Sequence, residues 1–239
     1  MTAPLLTRRS LLATGATSVV GLTIGPPTAA APAGDLVLET VTTELCAMFQ
    51  RALVTPTDPE RLRSIASAFR VLDAVLEAHD LKRHQRRARV PVIDGAAADH
   101  LARRLRARGF PVTGDALLRR HLDARARGLD VDALDRQAAT LVTSPRLGLD
   151  TAALFDAIAA SGPTGVRWRS PREGGGVLRP ASSWNACGWF RSYGGVWGFL
   201  LGGVGFAFAF MPGFGLAEVG LVYAGAALFF DGATVYCEF

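Results

Sequence analysis

Apolar residues recur with helical spacing through most of the first two thirds of the chain. Leu38, Val41, Leu45, Met48 and Phe49 fall on one helical face, and Leu62, Ile65, Phe69, Leu72, Val75 and Leu76 on another. Between them Thr55-Pro56-Thr57-Asp58-Pro59 breaks the chain, and Asp58 supplies an N-cap with proline just inside the next helix. Further helices are predicted over 95–108, 114–127, 131–143 and 150–161, with Gly109, Gly128 and Gly162 placed where C-terminal glycines belong. The phrase Gly128-Leu129-Asp130 returns as Gly148-Leu149-Asp150, each time ahead of an Ala-Leu pair. This reads either as a short helical repeat or as repeated capping chemistry.

The pattern changes completely in the last fifty residues. From Ser192 to Phe230 the only acidic residue is Glu218, there is no basic residue, and nine of the 13 phenylalanines lie beyond Cys187. Met211-Pro212-Gly213-Phe214-Gly215 divides this stretch into two arms, which predicts a helical hairpin. Gly198, Gly202, Gly205 and Ala209 form a small-residue stripe on the first arm; Ala217, Gly220, Ala224 and Ala227 form one on the second. Facing stripes of this kind let two apolar backbones approach closely, and they also permit self-association of the hairpin. The large-small alternation of residues 205–210 has the period of a strand, so helix and strand compete there. As helices, residues 194–211 and 216–230 would run roughly 27 Å and 22 Å, short of a hydrocarbon core of roughly 30 Å.

The predicted fold class is therefore all-α: an N-terminal helical bundle over 34–165, a basic Pro/Gly/Arg linker over 166–191, and an apolar Gly-rich hairpin over 192–239. The linker carries Arg167, Arg169, Arg172, Arg179 and Arg191 against Glu173. Where it meets the hairpin, Trp184, Trp189, Arg191, Tyr193 and Trp197 gather. Such a set suits a membrane interface, with rings at headgroup depth and guanidinium groups on anionic phosphates, or else caps a hydrophobic core. Folding the hairpin brings Cys187 and Cys237 together, and in an oxidising compartment they can join. Cys46, on a helical face beside Leu45 and Phe49, reads as a core thiol.

Residues 1–33 have the plan of an export leader. Thr7-Arg8-Arg9-Ser10-Leu11-Leu12 leads into an apolar run to Ile24, followed by Pro26-Pro27 and by Ala31-Pro32-Ala33, which fits small-residue cleavage. The segment resembles a twin-arginine translocation (Tat) signal peptide. That resemblance implies export of a folded protein to the cell envelope or the exterior, with Arg8 and Arg9 as the recognition pair and Ala31 and Ala33 at the cleavage site. The overall layout resembles that of halocin C8-type bacteriocin precursors, which join a Tat leader, a larger N-terminal part and a small toxin peptide. It implies processing in the linker and an active peptide near residues 181–239.

Composition narrows the function classes. The chain carries a net charge of +5, and all but one of its 26 basic residues are arginine, Lys82 being the exception. Two basic runs, Lys82-Arg83 with Arg86, Arg87 and Arg89, and Arg103-Arg104 with Arg106 and Arg108, resemble a nucleic-acid footprint when taken alone. The acidic residues interleaved with them favour a solvated face or an anionic membrane surface, with no nucleic acid as partner. The chain has no G-x-S-x-G, no H-E-x-x-H and no phosphate loop. Asp130, Asp132 and Asp135 lack the central glycine and terminal glutamate of a calcium loop, so capping accounts for them. His79, His84, His100 and His121 sit among arginines without metal-ligand spacing. No catalytic residue, cofactor or metal is expected. The leading expectation is an exported, non-enzymatic, membrane-interacting protein. The alternatives are a soluble envelope binding or scaffold protein whose apolar segment is core, and a secreted enzyme with no recognisable motif.

Overall fold

The computed structural model describes residues 33–119, 129–161, 166–167, 179–180, 185–211 and 215–238. All belong to one compact unit, Ala31–Phe239. Arg8, Arg9, Ala31, Trp184, His121 and most of the linker lie outside the described residues; Ala33 is the first residue of a helix. The architecture is all-α. Its helices are α1 (Ala33–Ala52), α2 (Pro59–Ala78), the single turn α3 (Lys82–Gln85), α4 (Gly95–Ala107), α5 (residues 114–119), α6 (Val131–Thr143) and α7 (Leu147–Ala160). Then follow α8 (Ala186–Trp189), a π-turn (Phe190–Gly194), α9 (Gly195–Ala209) and α10 (Leu216–Glu238). Within the linker, Val166 and Arg167 pair antiparallel with Pro180 and Arg179.

Local chemistry sets the helix starts. The Asp58 carboxylate accepts from the Glu60 amide at 2.9 Å, with Pro59 at the first helical position, where its missing N–H costs nothing. Asp94 caps α4 and Asp130 caps α6, their carboxylates accepting from the amides of Ala97 at 2.8 Å and Ala133 at 2.9 Å. Gly109, with φ of 86°, takes the left-handed turn after α4. The two Gly-Leu-Asp phrases part company here. The first precedes α6, whereas the second lies inside α7, which already begins at Leu147. Gly148 is a packing position: a Cβ there would stand 2.8 Å from the Asp73 carboxylate oxygen on α2. The similarity is thus one of residues and not of structural role.

The apolar hairpin occupies the centre of this bundle. α10 packs on α9, α1 and α4, while α2 pairs with α7 and α6 lies chiefly on α9. One continuous core runs from α1 to the end of α10 and includes Leu45, Phe49, Phe69, Phe155, Phe190, Phe229 and Phe230. Its rings interlock across elements far apart in sequence. Phe49 of α1 lies 6.0 Å from Phe155 of α7 and 6.0 Å from Phe229 of α10, and Phe155 lies 5.4 Å from Phe230. A smaller cluster, Val131, Leu134 and Ala138 of α6 with Phe199 and Leu200 of α9, holds α6 against the first arm.

Cys46 is fully buried in the main core and is a free thiol. Burial pushes its pKa up to about 12, against the smaller opposing pull of the Arg108 guanidinium. A thiol that stays protonated in the native state but ionises near pH 9 when unfolded loses stability as pH rises between those values, at about 1.4 kcal/mol per pH unit. The expected outcome is that Cys46→Ala flattens the alkaline fall in urea midpoint. An unchanged slope would mean that Cys46 titrates normally.

Candidate functional site

The two arms of the hairpin define the site. Its helical path runs from Ala186 to Ala209, 24 residues, and from Leu216 to Glu238, 23 residues. Both exceed the expected lengths, because the first arm continues upstream of Ser192 through the π-turn and the second continues past Asp231. At 1.5 Å per residue the arms reach roughly 35 Å, so each is long enough to cross a hydrocarbon layer. In this form 67% of the first window and 72% of the second are buried inside the protein.

Residues 205–210 resolve as helix up to Ala209 rather than strand. Phe206, Ala207, Phe208 and Ala209 are all buried, so a period-two alternation faces no solvent that would make it matter. The small-residue stripes meet in the middle of the hairpin. A Cβ on Gly220 would stand 2.4 Å from the Ala209 amide nitrogen and 2.8 Å from the Gly205 carbonyl, and one on Gly205 would stand 2.7 Å from the Ala224 amide nitrogen. Backbone cannot yield at such distances, so glycine is required at both positions. Gly198 is buried on α9, while Gly202 is half-exposed at a shallow cleft with Phe199, Phe206, Ile93 and Leu117. Gly203, outside the predicted stripe, provides the approach to α6: its Cβ would come within 2.9 Å of the Ala138 methyl.

The open end of the hairpin is clasped. Cys187 and Cys237 are disulfide-bonded, with their Cα atoms 5.1 Å apart. Arg191 Nε donates to the Cys237 carbonyl at 2.5 Å. Thr234 Oγ1 donates to the Phe230 carbonyl at 2.8 Å and lies 3.3 Å from the Phe190 carbonyl at the start of the π-turn, which links the two arms. Trp189 is only 2% exposed and packs on Phe190, Tyr193 and Phe230. Tyr193 and Trp197 are half-buried and Arg191 is exposed. Of the aromatic set at the junction, Trp189 therefore belongs to the core in this form.

A second clasp sits at the turn end. Glu218, the first acid of α10, receives Arg104 Nη2 at 2.7 Å and Arg108 Nη2 at 2.5 Å on its two oxygens. Arg104 Nη1 also donates to the Ala209 carbonyl at the end of α9, at 3.4 Å, and Arg108 Nη1 donates to Thr43 Oγ1 on α1. Residues 104 and 108 lie one turn apart, so they share a face, and they tie α1, α4 and both arms together. In sequence their run reads as a solvated face or as a face for an anionic surface, and the structure turns these two side chains onto Glu218. The available signal was Glu218 itself, a lone carboxylate in an apolar stretch, which needs a cationic partner. All three side chains are partly exposed, at 24%, 17% and 29%, which moderates the energy. Replacing both arginines by alanine is expected to cost about 2 kcal/mol in urea unfolding, and a cost within 0.5 kcal/mol would show the clasp to be idle.

Other charged and polar side chains among the described residues are held by their neighbours. The single lysine, Lys82, bridges Asp73 at 2.9 Å and Glu77 at 3.0 Å. Desolvation pulls its pKa down, and the two carboxylates more than offset this, leaving it raised. His100 stacks at 5.2 Å on Phe210. Among the described residues no group of three His, Cys, Asp or Glu is placed to hold a metal ion. No family model, curated protein or solved structure matches the chain.

Proposed function

We propose that the chain is an exported, non-enzymatic, membrane-active protein in its water-soluble form, with the apolar hairpin as the lipid-inserting element and the surrounding helices as its sheath. One observation carries the reading: two arms long and apolar enough to span a bilayer, joined by an uncharged turn, lie side by side and are clasped at both ends. Between their ends the arms are almost wholly apolar: Glu218 near the turn end, and Arg191, Asp231 and Glu238 near the disulfide end, are their ionisable side chains of ordinary charge, so once the sheath opens the charges to be accommodated in lipid lie towards the ends of the arms. The preferred partner is an anionic lipid surface, in keeping with a net charge of +3 once Arg8 and Arg9 leave with the leader, 24 basic against 21 acidic residues. The Tat-like leader supports delivery outside the cytoplasm, and the bacteriocin-like layout extends the reading to a precursor that releases its C-terminal part by cleavage in the linker.

The high burial of both arms favours a second reading, in which the hairpin is simply the core of a soluble envelope binding or scaffold protein. Warming the full chain to the foot of its thermal transition beside dye-loaded phosphatidylglycerol vesicles separates the two. Insertion predicts dye release and quenching of tryptophan emission by brominated lipid. Aggregation with neither signal would establish the second reading. Mass spectrometry of the secreted product tests export and processing, through loss of the leader near Ala33 and cleavage between 166 and 185.

A further inference from the structure

Three arginines and one exposed valine on the connection between α3 and α4, with Arg83 of α3 beside them in sequence, have no role in the hairpin or its clasps. The underside of this connection is fixed. Leu81, Gln85 and Ala88 are buried, Gln85 Nε2 donates to the Ser144 carbonyl at 2.6 Å, and the Arg87 amide donates to the His84 carbonyl at 2.9 Å. The outer side is cationic: Arg83, Arg86, Arg87 and Arg89 are exposed. Arg83 is paired with Asp80 at 2.7 Å, whereas Arg86, Arg87 and Arg89 have no carboxylate partner among the described residues. Val92, three residues on, is 85% exposed, more than any other large apolar side chain among the described residues. Arg89 and Val92 border one shallow depression of about 530 Å³, together with Arg136 of α6, and Asp135 is the carboxylate on its rim.

We infer that residues 86–92 form a docking surface for an anionic lipid headgroup layer, with Arg86, Arg87 and Arg89 on the phosphates and Val92 entering between the headgroups. This rests on the membrane-active reading and names the face that first meets the bilayer. Planar guanidinium groups engage phosphate through paired N–H donors, and a rigid turn presents them without a large ordering cost. An exposed valine beside these arginines favours lipid over nucleic acid, since the valine offers neither a stacking platform nor a donor to a base edge. The position also fits. Ile93 and Asp135 line both this depression and the cleft over Phe199, Gly202 and Phe206 of α9. Docking here sets α6, the cover of the first arm, beside the membrane.

The test is flotation of the full chain with phosphatidylcholine vesicles and with vesicles containing phosphatidylglycerol, at low and high salt. The variants are R86Q/R87Q/R89Q together and V92S alone. All four positions are exposed, so unchanged melting temperatures are expected and serve as the folding control. The wild-type chain should bind only the anionic vesicles and lose affinity with salt, and the triple variant should bind about 100-fold more weakly. V92S should weaken binding about tenfold while keeping the salt dependence. If the wild-type chain binds and the triple variant binds equally, the docking surface is overturned while the membrane-active reading stands. If the wild-type chain binds neither vesicle but releases dye on warming, the docking surface is overturned while the membrane-active reading stands; if it does neither, both fall. Binding of duplex DNA in preference to anionic vesicles, lost in the triple variant, would overturn the lipid assignment.

Discussion

Deleting residues 192–239 is expected to abolish the cooperative unfolding of the helices that remain. Composition alone draws a boundary near residue 166, which would make the helices of 34–165 an independent bundle. Yet Phe49, Phe69 and Phe155 pack on Tyr223, Phe229 and Phe230, and α1 lies directly on α10. Removing the hairpin exposes the inner faces of at least α1, α2, α6 and α7. Each large apolar side chain returned to water costs about 2 to 3 kcal/mol. Four such side chains already match the whole stability of an ordinary domain, about 5–15 kcal/mol. The truncated chain should therefore give a broad, dye-binding, non-cooperative melt by circular dichroism, where the full chain melts sharply. A sharp transition in the truncated chain would make the hairpin a separable appendage. For the same reason a tail-deleted chain is no control for membrane binding, and point variants in a folded chain are needed.

The second large effect is expected at the disulfide. Cys187 and Cys237 close a loop of 50 residues, and in the chain-entropy model such a link stabilises by about 4 kcal/mol through the unfolded state. For a chain of this size that corresponds to a fall in Tm of about 10–15 °C when the double variant C187S/C237S is compared with the parent. Helix content at room temperature should remain, since Arg191, Thr234 and the ring packing around Trp189 still hold the two ends. Reductant should lower the Tm of the parent to that of the variant and leave the variant untouched. A shift below 3 °C would mean that the hairpin ends stay together in the unfolded ensemble without the bond.

Much of this was legible in linear order. The break at Asp58-Pro59, the caps at Asp58 and Asp130, the glycine stop at Gly109 and the hairpin division near 211–215 follow from local chemistry, which tertiary contacts do not revise. The pairing of Cys187 with Cys237 follows from a hairpin, as does the meeting of Gly205 with Gly220. Less legible were the positions whose meaning depends on what faces them. Gly148 looked like a cap signal and is a contact with Asp73. Arg104 and Arg108 looked like surface charge and turn inward because Glu218 comes to them from more than a hundred residues away. Trp189 fits an interface or the cap of a core in linear order, and the contact with Phe230 of α10 decides for the interior.

The amino-acid sequence by itself determined the helices, their caps and the closed, greasy hairpin, since propensity, capping and small-residue spacing act within one or two turns of chain. Only the tertiary structure decided that the hairpin is the centre of the bundle and not its annex. An apolar arm carries no directional preference between lipid and protein as its surroundings, and the choice is made by the amphipathic faces of α1, α2, α4, α6 and α7 that close around it.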